Sequence, residues 1–248
     1  MLAAFTVASA KLVSKNFVVN DGFASLNTQG IVSVVYEQAQ QTKITAFAQD
    51  DRIADVSIEV GRNELIIICD SKDNLPMRQS EKVVVKVSSP NVMNFTSTGN
   101  SAIQITGIAD DKEALRLMST GNSTIMLQCP IDLVDLSITS SENSHVICKD
   151  AVEARSLYVN ASGNSNVTIS NLMAQNATAA AQENANVTLE GNGDTLNFVA
   201  SGNSDIDATK YPGARANVIA SGMSSVKFDA PKESTKKSGM SSIKNSHK

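Results

Sequence analysis

Carboxylates, histidines and thiols are the side chains of this 248-residue sequence that could do chemistry, and their spacing limits what that chemistry can be. Cleavage of a sugar polymer needs two carboxylates, or a carboxylate with Arg or Lys, converging on one face. The candidates are Asp110-Asp111, Asp132 with Asp135, and Asp205 with Asp207. Asp110-Asp111 and Asp132/Asp135 fall in successive return loops that approach one another if the loops stack, although solvated loop charge is the simpler expectation. Next to Asp205 and Asp207, the equivalent positions of neighbouring segments hold Asn166/Thr168 and Asn186/Thr188, so no acid pair is completed there. His145 and His247 stand in no motif, and no Gly-x-Ser-x-Gly nucleophile elbow occurs. Cys69, Cys129 and Cys148 are an odd set without metal-ligand spacing. Cys129 and Cys148 lie about one repeat apart and could stack and oxidise; buried thiols acting as small hydrophobes are the plainer expectation. The residues therefore predict no catalytic, cofactor-binding or metal-binding site.

The elements that must position these side chains are set by a repeat. Between Asn94 and Ser242 a small polar triplet recurs every 17 to 22 residues. Its copies are Gly99-Asn100-Ser101, Gly121-Asn122-Ser123, Glu142-Asn143-Ser144 and Gly163-Asn164-Ser165, then Glu183-Asn184-Ala185, Gly202-Asn203-Ser204, Gly222-Met223-Ser224 and Gly239-Met240-Ser241. An alternating apolar pair follows each of the first seven, from Ile103/Ile105 and Ile125/Leu127 to Val226/Phe228. Another pair precedes most of them, as in Met93/Phe95, Leu115/Leu117, Leu136/Ile138, Leu157/Val159, Leu196/Phe198 and Ala216/Val218. Period-two alternation is the mark of a half-buried strand. Each repeat thus reads as strand, turn, strand and return loop. One such unit cannot bury its own apolar face, whereas a stack of them buries a continuous one. The expected fold is all-β: a single-stranded parallel β-helix, or β-solenoid, with coils of about 20 residues and an N-terminal strand cap.

The turns are read as structural: Gly99, Asn100, Gly121, Asn122, Asn143, Gly163, Asn164, Asn184, Gly202, Asn203, Gly222 and Gly239. Gly accepts positive φ freely and Asn tolerates it better than most residues. Glu142 and Glu183 replace Gly only where Asn follows, and Met223 and Met240 replace Asn only where Gly precedes. This pattern predicts one positive-φ position per turn that either residue can supply, and leaves open which. Stacked Asn side chains are also suited to a hydrogen-bonded ladder.

Composition bounds the rest. Apolar content of 42% supports a folded chain, while aromatic content is 4% with no Trp. A net charge of −4 gives nucleic acid no electrostatic foothold. The charge is uneven: Lys232, Lys236, Lys237, Lys244 and Lys248 stand against Glu233 in 231–248, a local +4 that leaves −8 elsewhere. Residues 1–10, ending in Ala8-Ser9-Ala10, read as a truncated export signal. Residues 11–90 read as a run of strands: Asn16–Asn20, Ala24–Asn27, Ile31–Glu37, Lys43–Phe47, Ile53–Val60, Glu64–Cys69 and Val83–Val87, with a tight turn at Gly61-Arg62-Asn63 and a long loop from Asp70 to Ser80. They are expected to run straight into the solenoid and cap its first coil. Asp110–Met118 alone has much helix-forming content. The domain reading is 1–10 signal, 11–229 solenoid (11–90 N-terminal strands, 91–229 repeats) and 230–248 basic tail, either a frayed last coil or disordered.

Two stretches carry a family resemblance. Ile31-Val32-Ser33-Val34-Val35 followed by Gln38 and Lys43-Ile44-Thr45-Ala46, and Ile58-Glu59-Val60-Gly61 followed by Leu65-Ile66-Ile67, resemble the opening of the GIN domain. Phe95-Thr96-Ser97-Thr98-Gly99-Asn100-Ser101 and Ala200-Ser201-Gly202-Asn203-Ser204 are similar to its Ser/Gly-rich repeats. The resemblance spans about 12–245 and implies a secreted or periplasmic parallel β-solenoid, named in that family as the head of auto-transporter adhesins. Glu142 and Glu183 depart from its usual Gly.

Together these readings predict a non-enzymatic, exported cell-envelope protein, adhesin-like or scaffolding, with a polysaccharide lyase or glycosidase as the alternative. The expected ligand is an envelope glycan, polymer or protein. Gln104, Thr124, Asn166, Thr168, Thr188, Asp205 and Asp207 are the outward polar residues that would form a contact face, and Tyr158 and Tyr211 the aromatic candidates with a polar end. Homo-oligomers by stacking or edge pairing, and a peripheral membrane contact through the lysine-rich tail, are compatible with the sequence.

Overall fold

The computed structural model describes residues 11–19, 22–50, 52–70, 83–108 and 112–248. The segment 1–10, residues 71–80 of the predicted long loop and the Asp110-Asp111 pair lie outside the described residues. The N-terminal strands are β1 (Leu12–Phe17), β2 (Ser25–Gly30), β3 (Val32–Gln38), β4 (Lys43–Gln49), β5 (Val56–Gly61), β6 (Glu64–Cys69) and β7 (Val83–Ser89), with a 3-10 turn at Ile53–Asp55. The repeats follow as β8 (Asn94–Ser97), β9 (Ala102–Gly107), β10 (Lys112–Ser119), β11 (Thr124–Leu127), β12 (Ile131–Ser140), β13 (His145–Cys148) and β14 (Val152–Ala161). The last are β15 (Asn166–Ala181), β16 (Asn186–Ala200), β17 (Asp205–Pro212), β18 (Arg215–Ala220), β19 (Ser225–Asp229), β20 (Lys232–Lys237) and β21 (Ser242–Asn245).

The strands pair coil over coil, in parallel and in register, so the fold is the expected β-solenoid. One row holds the strands before each turn: β8, β10, β12, β14, the C-terminal halves of β15 and β16, then β18 and β20. The second holds the strands after each turn: β9, β11, β13, the N-terminal halves of β15 and β16, then β17, β19 and β21. A short third row stacks Ile131 on Val152, then Leu172, then Gly191, and gives the middle coils a third side. The apolar pairs after the turns point inward and are buried, from Ile103/Ile105 through Val226/Phe228. Each such Ile, Leu or Val contributes roughly 1.5–3 kcal/mol by leaving water. Among the pairs before the turns, Met93 is the exception: it is exposed, and Val92 takes the core position. The stretch with helix-forming content becomes β10, because Leu115 and Leu117 fall alternately into the core between β8 and β12.

The N-terminal strands depart from the expected order. β2 lies between β6 and β8, and β3 between β7 and β9, all parallel. Residues 25–38 are therefore a coil inside the stack, and β6 and β7, later in sequence, form the coil outside it. Among the described residues the cap is made by β5, antiparallel on β6, and by β4 and β1, with β4 antiparallel on both β7 and β1. Reversing direction ends the parallel repeat and closes its edge.

The opposite end is also built. Residues 232–245 form a last coil, the first of the two expected alternatives: β20 pairs with β18 and β21 with β19. Its inward positions carry Glu233, Thr235, Lys237 and Asn245, in register with Ala216, Val218, Ala220 and Phe228. Asn245 holds this end by donating to Ala230 O at 2.8 Å and to Glu233 Oε2 at 2.8 Å.

Candidate functional site

The turns come first because they fix where every outward side chain stands. The first residue of each triplet has positive φ, from Gly99 (74°) and Gly121 (81°) to Gly239 (68°), and so do Glu142 (64°) and Glu183 (63°). The sequence left open which of the two residues carries this conformation; it is the first, a position fixed by the stack, and Glu adopts it where Gly is missing. The reason is the backbone ladder, in which the N–H of the second residue donates to the carbonyl of the first residue one coil back, as Asn122 does to Gly99 at 2.7 Å. The Asn side chains have a separate role. Nδ2 donates to Oδ1 of the preceding coil from Asn122 to Asn100 (3.1 Å), Asn143 to Asn122 (3.2 Å), Asn164 to Asn143 (3.0 Å) and Asn184 to Asn164 (3.0 Å), with Asn203 to Asn184 at 3.5 Å. In every triplet but one the third residue is a buried Ser, and its hydroxyl caps a carbonyl of the coil before it, as Ser144 does Ser119 at 2.8 Å and Ser165 does Ser140 at 2.9 Å. Sequence reasoning missed this capping; the recurrence of Ser at one position was the signal.

The outward residues expected to form a contact face lie on the row after the turns. There the side chains largely satisfy one another. Asn186 donates to Asn166 at 3.0 Å, and Asn166 pairs with His145 Nδ1 at 3.2 Å. Asp207 accepts from the Thr209 hydroxyl at 2.7 Å, and Lys227 lies 3.8 and 3.9 Å from Asp205 and Asp207. Partial burial pushes the Asp207 carboxyl up, but the Thr209 bonds, Lys227 and Lys210 outweigh it and hold the group below the ordinary carboxylate range. His247 pairs with Asp229 at 2.9 Å.

Among the described residues the acid candidates do not converge on one site. Asp132 stacks on Glu153, whereas Asp135 stacks on Ser156 in another column. Asp132 and Glu153 border a shallow groove of about 470 Å³ on the third side, with Arg155, Gln175, Asn192 and Asp194. Glycosidic cleavage requires one acid and one base in environments that hold them in different protonation states. Asp132 and Glu153 instead share one exposed row. Among the described residues no group of three His, Cys, Asp or Glu side chains could hold a metal ion. Cys69, Cys129 and Cys148 are buried cysteines, and burial, with Cys129 adding to it, pushes Cys148 up to about 12.

The two aromatic candidates separate. Tyr211 is buried, its hydroxyl donating to Ala174 O at 3.1 Å, and burial raises its pKa. Tyr158 is 51% exposed on the row before the turns. Its register column reads Asn94, Arg116, Ser137, Tyr158, Thr178, Asn197, Asn217, one residue per coil. The adjoining column places Thr139, Asn160 and Ala180 beside it. The result is a flat face with hydrogen-bonding groups at about 4.8 Å spacing around one aromatic ring.

A family model described as “Putative auto-transporter adhesin, head GIN domain” matches residues 22–143 and again 132–245. Among solved structures, a “putative adhesin” from Bacteroides fragilis is similar with a TM-score of 0.71 at 19% identity, over 96% of this chain and 98% of that one. Others come from Parabacteroides distasonis (TM-score 0.69, 18% identity, 95% and 97% covered) and Parabacteroides merdae (0.65, 17%, 95% and 96%). At these identities the likeness is one of fold. No curated protein matches the sequence.

Proposed function

This chain belongs to the GIN-domain family, and from that membership and its strand faces we propose that it is a non-enzymatic, exported, adhesin-like protein of the cell envelope. Its contact surface is the face before the turns, and its ligand a hydroxyl-rich polymer, a glycan in the first instance. The observation that carries this reading is Tyr158, 51% exposed amid Ser137, Thr178, Thr139 and Asn160. A ring that remains half in water within a row of donors and acceptors offers an apolar surface to a sugar face and partners to its hydroxyls. The fixed coil spacing holds these groups ready, so little ordering entropy is lost on binding.

A glycan array probed with the full chain and with Tyr158→Ala tests the proposal. Saturable binding to a defined glycan, weakened at least tenfold by the substitution, supports it. Binding unaffected by Tyr158→Ala, or no binding at all, overturns it. Turnover of an acidic polysaccharide, abolished by Asp132→Asn or Glu153→Gln, would instead install the lyase or glycosidase reading at the third-side groove.

A further inference from the structure

Two outward columns end in exposed apolar side chains at the C-terminal end of the solenoid: a face column that is mixed along its length, with Met118 also exposed, and a turn-tip column that is Asn through most of the coils. On the face before the turns, one column reads Thr96, Met118, Thr139, Asn160, Ala180, Val199, Ile219 in successive coils. Its last two members are 41% and 47% exposed. At the turn tips the Asn ladder from Asn100 to Asn203 gives way to Met223 and Met240, 58% and 78% exposed. Met223 continues that column directly, its N–H donating to Gly202 O at 2.7 Å. Gly239 stacks on Gly222, so Met240 follows Met223. Val199 and Ile219 on the face, and Met223 and Met240 at the turn tips, thus make an interrupted apolar strip along the corner, with Ser201 and Ser221 between them.

The strip ends among cations. Lys236 follows Ile219 in register, Lys237 follows Ala220, Lys232 follows Arg215, and on the other face Lys244 follows Lys227. Lysines alone would protect the open edge of β20 and β21 from pairing. Edge protection does not account for four exposed apolar side chains in the coils leading up to that edge. Nor does it account for a local charge of +4 in a chain that is −8 elsewhere. Apolar side chains rimmed by lysines complement an anionic lipid surface, where ammonium groups meet headgroups and the apolar tips enter the interface.

We propose that the C-terminal corner of the solenoid docks on an anionic lipid bilayer, Val199, Ile219, Met223 and Met240 entering the interface and Lys232, Lys236 and Lys244 pairing with headgroups. The N-terminal antiparallel cap then points away from the lipid. The inference does not rest on the Tyr158 face, and its failure leaves that reading untouched.

The test is co-sedimentation of the full chain with vesicles of phosphatidylglycerol and phosphatidylcholine, against phosphatidylcholine alone. Since the sequence has no Trp, Met240→Trp provides a single fluorescent reporter. Binding to the anionic vesicles only, falling with salt and shifting the emission of the introduced indole to the blue, is expected. Lys232→Gln with Lys236→Gln should lower affinity about 25-fold, roughly fivefold per lysine. Ile219→Asn with Met223→Asn should lower it at least tenfold. Asn occupies the same columns at Asn160 and Asn203, so folding is preserved, which a thermal melt verifies. Equal binding to both vesicle types, no binding to either, or wild-type binding by the Asn pair overturns the proposal. Equally tight binding to soluble polyglutamate without an emission shift does so too, and reassigns the corner to an acidic polymer.

Discussion

The N–H of Asn164 donates to the carbonyl of Glu142 at 2.6 Å, so the backbone ladder of the turns passes unbroken through a glutamate held at φ 64°. The same holds one repeat pair later, where Asn203 donates to Glu183 at 2.5 Å. The stack imposes the left-handed conformation and the side chain accepts the strain.

Glu142→Gly is therefore expected to stabilise the protein by about 1 kcal/mol, removing the penalty of a Cβ in that region against a smaller gain in unfolded-state freedom. Gly163→Ala should cost about 1–2 kcal/mol or more, because its Cβ would meet the Glu142 backbone at 2.8 Å in addition to the φ strain. Urea unfolding of both variants measures the opposite signs.

Ser144 accepts from the N–H of Ser141 at 3.0 Å and caps Ser119 O at 2.8 Å, its hydroxyl buried beneath the turn. Ser144→Ala should cost about 1–3 kcal/mol through the groups it leaves unpaired. Ala185 occupies the equivalent position without a hydroxyl to offer the coil before it. Ala185→Ser should gain about 0.5–1.5 kcal/mol, read as a raised melting temperature. A fall on Ala185→Ser would mean that the capping geometry does not extend to that coil.

Gly191 sits at φ 141°, where a Cβ would overlap the carbonyl oxygen of Leu172. No rotamer relieves a clash with backbone. Gly191→Ala is expected to separate β15 from β16 locally, costing more than about 3 kcal/mol. Hydrogen exchange should show lost protection at Leu172–Ala174 while the N-terminal coils keep theirs.

Cys148 gives stability a dependence on alkaline pH. Burial raises its folded pKa to about 12 from an ordinary value of 9.0. The folded chain keeps the thiol protonated where the unfolded chain loses it, so its contribution is intact below pH 9 and is lost as pH climbs from 9 toward 12. The slope from this group is at most about 1.4 kcal/mol per pH unit. Cys148→Val, matching the aliphatic Leu127 and Ile169 beside it in register, should flatten the decline between about pH 9 and 11. An unchanged decline would place the titrating group elsewhere.

Much of this was legible in the residues. Alternation around each triplet placed the inward pairs, and the same alternation put Tyr158, between Leu157 and Val159, on the outside. Tyr211 was not legible, because it lies at a return corner where the period breaks and only packing shows that its ring fills the core against Gly193. The lysines were read as a tail; that Glu233, Thr235 and Lys237, all exposed, continue the inward columns of Ala216, Val218 and Ala220 depends on their register with β18.

By itself, the sequence determined the coil: its length, its two alternating strands, its small polar turn and the need for neighbours above and below. Those follow from local sterics and the burial of apolar faces, which act within a single repeat. Only the tertiary structure decided which coil lies on which. β2 and β3 enter between β6–β7 and β8–β9, although all carry the same period-two pattern, and that pattern says which side of a strand faces the core but not which strand is its neighbour. The positive φ was undecided for the same reason. Gly and Asn both tolerate it, and the choice fell to the hydrogen bond each turn must make to the turn before it.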